Sequence, residues 1–102
     1  MAQSQIQLHE ILTALEGVQD AYFQPKQDVK MQYPCIVYSR DDSYVAHADN
    51  LAYLFLKRYQ VIVIDRKPDS IIPDQVEELP YTRFDRSYIS SGLNHFVYNL
   101  FF

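Results

Sequence analysis

Four side chains within one ten-residue stretch have the chemistry to hold a cation: Asp41, Asp42, His47 and Asp49 in DDSYVAHADN. The stretch lacks the D-x-D-x-D-G run and closing Glu of a calcium loop, and the paired-histidine spacing of a zinc enzyme. Asp and Asn that hydrogen-bond their own backbone in turns explain the same composition without an ion. The expectation is therefore a solvated acidic loop over residues 41–50 with no structural metal. Glu77 and Glu78 offer paired carboxylates for acid/base work, but adjacent helix residues point about 100° apart and cannot converge on one bond. His95, beside Asn94, has no nucleophile placed next to it by sequence, and His9 reads as a solvated residue on a helix surface. Cys35, the one thiol, sits in the apolar run PCIVYS. It reads as a small buried hydrophobe that cannot form an internal disulfide. Gly-rich phosphate loops, H-E-x-x-H and G-x-S-x-G are all missing, so no catalytic, cofactor or metal constellation emerges and a non-enzymatic role is expected.

The elements that must carry these residues follow from periodicity. Ser4 and Gln7 have capping-box spacing, Leu8, Ile11, Leu12 and Leu15 form a one-sided helical stripe, and Gly17 supplies the stop. Such a helix lies on a sheet and shows Gln5, His9, Glu10 and Glu16 to water. Residues 21–24 read as a short strand ending at Pro25, and residues 33–40 as a second, with Cys35 and Val37 on one face and Ile36 and Tyr38 on the other. After the 41–50 excursion comes LAYLFLKRYQVIVID, residues 51–65. In that strand Tyr53, Phe55, Tyr59, Val61 and Val63 alternate with Leu54, Leu56, Ile62 and Ile64. A strand apolar on both sides needs two covers. Helices can supply one; a short chain has little left for the other, which motivates a subunit interface. Residues 70–79 read as a second helix with Ser70 as N-cap, Pro73 in its first turn and Pro80 as terminator. Residues 81–85 read as a short strand, 87–92 as a loop and 93–102 as a final strand. The predicted fold is one α+β domain of order αβββαββ: a four- to five-stranded, mostly antiparallel sheet with two helices packed on one face.

Composition bounds the function class. The 102 residues hold one core, and 48% hydrophobic with 22% charged residues is ordinary for a globular protein. Nine Tyr suit half-buried surfaces and interfaces. A net charge of −4 with scattered Lys and Arg disfavours nucleic-acid binding. The basic groove and aromatic motif of an RNA-recognition sheet are both missing. No leader-like segment or membrane-length apolar run is present, so the expected setting is a cytoplasm, with no membrane partner. Phe101 and Phe102, costly to leave in water, should be paired in a sheet or held by a partner.

The pattern PCIVYSRDD, a segment ending HADN, the strand YQVIVIDRKPDS and the run VEELPYTRFDRSYISSGLNHFVYNLFF resemble a family of small structural proteins of long-tailed phages and Gram-positive prophages, the tail terminator, tail completion and head-tail joining proteins. The similarity covers roughly residues 33–102, most specifically 59–70 and 84–102. The resemblance implies a subunit of a ring, commonly a hexamer, at the end of the tail tube. Such a ring stops tube polymerisation and meets the head-tail connector, in the virion tail and, during assembly, in the host cytoplasm. A neck or head-closure adaptor of the same gene module is the alternative. It implies no catalytic residue and no cofactor. The contacts it implies are with other copies, the tail tube protein and the connector, through loops and strand edges. The candidate interface residues are then Asp41, Asp42, Tyr44, His47, Asp49 and Asn50; Arg83, Asp85, Arg86 and Tyr88; and His95, Phe101 and Phe102.

Overall fold

The longest strand organises everything else. In the computed structural model, which describes residues 5–25, 30–48 and 51–102 (42–48 and 51–56 as backbone only), the elements are α1 (Gln5–Thr13), β1 (Asp20–Phe23), β2 (Cys35–Ala48), β3 (Leu51–Asp65), α2 (Ile72–Glu77), β4 (Thr82–Ser90) and β5 (Leu93–Phe101). They build one five-stranded sheet in the order β1-β2-β3-β5-β4. Three of its pairings are antiparallel and β1–β2 is parallel, so the class is α+β with a mixed sheet. The parallel pair needs a crossover, which the segment between Phe23 and Cys35 supplies.

Both helices lie on one face. Leu8 and Leu12 of α1 and Ile72 and Val76 of α2 join Ala21, Ile36, Tyr38, Tyr59, Val61, Val63, Tyr98 and Leu100 in a single buried cluster. The cross-strand register aligns these residues: Ile36 with Val63 and Phe96, Tyr38 with Val61 and Tyr98. Tyr38, Tyr59 and Tyr98 are among the largest fully buried side chains. Burial requires their hydroxyls to find partners. Tyr98 donates to the Pro73 carbonyl at 3.2 Å, and Tyr38 accepts from Gln5 Nε2 at 2.6 Å and lies 2.7 Å from His9 Nδ1. Gln5 and His9 are therefore half-buried over the Tyr38 hydroxyl and not turned to water, because a tyrosine in the core needs a polar lid at its open end. The helices are joined by an amide clasp, Gln75, which accepts from Glu16 N–H and donates to Glu16 O, both at 2.8 Å.

Several boundaries differ from the sequence reading. The second strand does not stop at Arg40: β2 continues through Asp41 and Asp42 to Ala48, paired with β3 back to Leu51. The acidic excursion is thus strand up to residue 48, and Asp49 and Asn50 lie outside the described residues, as does the proposed cap Ser4. The long apolar β3 gives residues 41–48 a backbone partner, and two register shifts, at Arg40/Asp42 and Ala46/His47, each leave one residue, Asp41 and Tyr53, outside the ladder. The final hairpin is likewise tighter than a loop over 87–92. β4 runs to Ser90 and turns on Ser91 and Gly92, with φ of 53° and 75°, the type I′ geometry that matches strand twist. The second helix is shorter, Ile72–Glu77, and its N-cap is Ile71 and not Ser70, although Ser70 Oγ accepts from Ile72 N–H at 3.3 Å just ahead of the first turn.

Over residues 57–65 the second face of β3 is largely covered within the molecule, while the side chains of residues 51–56 lie outside those described. On the helix-free face Cys35 and Val97 are fully buried and Ile64 is nearly so, while Ile62 and Val37 are half-buried. At the β1 end of this face Gln32 N–H donates to the Tyr22 hydroxyl at 3.0 Å.

Candidate interaction surface

Besides the four-residue edge strand β1, two longer parts of the sheet lack a neighbour among the described residues. The first is the far end of the β2–β3 hairpin. β1 leaves β2 at Phe23↔Tyr38 and β5 leaves β3 at Arg58↔Phe101, with Phe102 and Lys57 exchanging backbone bonds of 2.9 and 3.4 Å. Beyond that point the two strands pair in register only with each other, Tyr44 opposite Leu56 and Val45 opposite Phe55. This two-stranded arm accounts for the 51 Å long axis of a molecule only 26 × 23 Å across. An isolated hairpin is marginal in water, and a third strand or a packing surface is what usually stabilises one. At the arm's root Arg58 grips Asp41 with Nε–Oδ1 3.0 Å and Nη2–Oδ2 3.4 Å.

The second part is β4. It is paired on one side only, and its residues after Thr82 are all exposed. Of the seven exposed large apolar residues among those described, Tyr81, Phe84, Tyr88 and Ile89 lie on β4 or beside its start, with Tyr81 and Ile89 each 74% accessible. Concentration on one edge is what separates a contact surface from scattered exposed side chains. A register shift between Phe84 and Arg86 makes room for Asp85, whose carboxylate takes Arg86 at 2.5 Å. Arg86 also sits 6.0 Å above the Tyr88 ring, and Tyr88 stacks on His95 with centroids 4.6 Å apart and planes 9° from parallel. His95 Nδ1 is 3.0 Å from its neighbour's carbonyl, Leu93 O. Phe84 meets Tyr98 edge-on at 5.5 Å. A shallow concavity where β4 and β5 stop and the arm continues is lined by Arg58, Tyr81, Thr82, Arg83, Asn99 and Phe101.

Of the residues singled out from sequence, Arg83, Asp85, Arg86, Tyr88 and His95 come together on this edge, with Phe101 at its end. Phe102 instead packs partly against the helix-side core. Asp41 belongs to the arm root; Asp42, Tyr44 and His47 are on the arm's backbone. The sequence reading did not single out Tyr81, Phe84 or Ile89: treating 87–92 as a loop hid Ile89, and reading 81–85 as a short strand gave no sign that it formed an edge. The dipeptide Ser91–Gly92 was the available signal for a two-residue hairpin turn.

Chemistry on these surfaces is limited. No group of three or more His, Cys, Asp or Glu suited to a metal forms among the described residues. Glu77 and Glu78 are exposed, and burial pushes the Cys35 thiol up to about 12, with Asp20 and Asp65 adding to the effect. A thiol held that firmly protonated is a poor nucleophile. Among the described residues, no helix is long and apolar enough to cross a membrane. A scan against protein-family models and searches of curated proteins and of solved structures find no match to this chain.

Proposed function

We propose that this protein is a non-enzymatic structural subunit of a phage tail, a ring-forming terminator that ends tail-tube growth and helps join tail to head. The observation that carries the assembly half of this reading is the arm. A two-stranded projection rich in apolar residues is marginal by itself, and a surface outside its own sheet would stabilise it. The tail half rests on the resemblance of residues 33–102 to tail terminator and head-tail joining proteins. In the ring the subunits contact one another, the tube protein and the head connector.

The test is genetic and microscopic. Deleting the gene from its phage or prophage is expected to give tails of uncontrolled length, or tails that fail to join heads, in negative-stain images of the lysate. Normal, joined and infectious particles from the deletion would overturn the proposal.

A further inference from the structure

We propose that the arm of one copy of this chain lies along the β4 edge of a second copy, adding its backbone to that sheet; this rests on the assembly reading above and names the surfaces that serve it. Three observations select the arm as the occupant of β4. The first is charge. Between residues 41 and 56 the sequence carries Asp41, Asp42 and Asp49 and no Lys or Arg, whereas β4 carries Arg83 and Arg86 against the single Asp85. With Asp41 held by Arg58 and Asp85 by Arg86, the excess charges are Asp42 and Asp49 on the arm and Arg83 on β4, so the two surfaces are of opposite sign. The second is extent. Residues 42–48 of the arm span about 24 Å and the nine residues of β4 about 30 Å at the usual rise of a strand, so one fits along the other. The third is what each lacks among the described residues: the arm has no third strand and β4 has no outer partner.

Charge also argues against β4 of one copy pairing with β4 of another, since that contact would bring arginine-bearing edges together and leave both arms unsupported. Arm on edge is a contact between two different patches. Each copy that receives an arm still offers its own, so the contact repeats and can close into a ring. The irregularity at Asp85 then blunts the edge against indiscriminate strand addition while leaving Tyr81, Phe84 and Ile89 to meet the apolar arm.

The experiment mixes two variants that each keep half of the contact. An armless chain, with residues 44–56 replaced by Asn-Gly so that Ser43 still faces Lys57, retains β4. An edge-blocked chain, Arg83→Glu with Arg86→Glu and Ile89→Lys, retains the arm; all three side chains are exposed, so the core is untouched. The armless chain is labelled with nitrogen-15 and the edge-blocked chain is added to about 1 mM, where even a millimolar contact is half occupied. The expected result is a shift or broadening of amide signals confined to residues 81–90, and a one-to-one dimer by sedimentation, with neither variant associating alone. Unchanged β4 signals, or changes centred on another element, overturn the inference. Should the armless chain fail to fold, wild-type protein is titrated against itself over the same range. Concentration-dependent shifts at 81–90 that weaken at least about tenfold in Arg83→Glu/Arg86→Glu are expected, and wild-type shifts that are absent or insensitive to that change overturn it. The phage deletion judges the tail assignment separately: overgrown tails with silent β4 signals would remove only the arm-to-edge contact, and normal particles with responsive β4 signals would remove only the tail role.

Discussion

Val63 sits at the centre of the sheet, opposite Ile36 on one side and Phe96 on the other, with none of its surface accessible. Val63→Asp places a carboxylate where it has no partner, at a cost of about 3 kcal/mol or more. Set against a total of ~5–15 kcal/mol for a small domain, that should lower the urea midpoint sharply or abolish folding. Buried protons give a second expectation. Burial raises the Cys35 thiol from 9.0 to about 12 and, with Glu77 and Asp74 adding to it, the Tyr98 phenol from 10.0 to about 12; burial also raises Tyr38 and Tyr59. Above about pH 9 the unfolded chain releases these protons while the folded one keeps them, so folding stability is full below that pH and falls as pH rises toward 12. Denaturant melts at stepped alkaline pH should show this loss, smaller in Cys35→Ser once its own baseline is subtracted. For the acidic residues, calorimetric titration with calcium or zinc ions is expected to yield no sub-micromolar site. Such a site, abolished by Asp41→Ala, would show that the carboxylates converge in solution.

The β4–β5 hairpin turns on Gly92, whose φ of 75° strains any residue bearing a Cβ, although a Cβ there would meet nothing within 4 Å. Gly92→Ala should therefore cost about 1 kcal/mol from backbone strain alone, and Ser91→Asn, which suits positive φ, should raise the melting temperature. Elements built on strong periodicity are legible in the sequence. Leu8 and Leu12 marked α1, and the alternation of Tyr59, Val61 and Val63 marked the buried face of β3. Illegible were features set by a distant partner. Residues 41–48 carry turn-forming Asp and become strand only because β3 runs beside them, a tertiary choice that local composition opposes. The parallel β1–β2 pairing was hidden for the same reason, since four residues carry no sign of direction. At the interaction surface, Arg83, Asp85, Arg86 and Tyr88 were legible as polar and aromatic candidates. Their apolar companions Phe84 and Ile89 were not, because sequence does not reveal which strand ends at an edge.

At the scale of the whole molecule, the arm sets the shape. The Cα radius of gyration is 14.6 Å, against about 13 Å for a compact chain of this length. Replacing residues 44–56 by a tight turn should bring the small-angle scattering radius toward the compact value while the remaining sheet melts cooperatively. The strand order carries a consequence of another kind, in time. β5 follows β4 in the chain yet lies between β3 and β4. β4 therefore has no place in the sheet until β5 has paired with β3 to bridge it. While β5 is undocked, Tyr81, Phe84 and Ile89 sit on a strand open along both edges, so a chain refolding from denaturant is most exposed to wrong partners before β5 reaches β3.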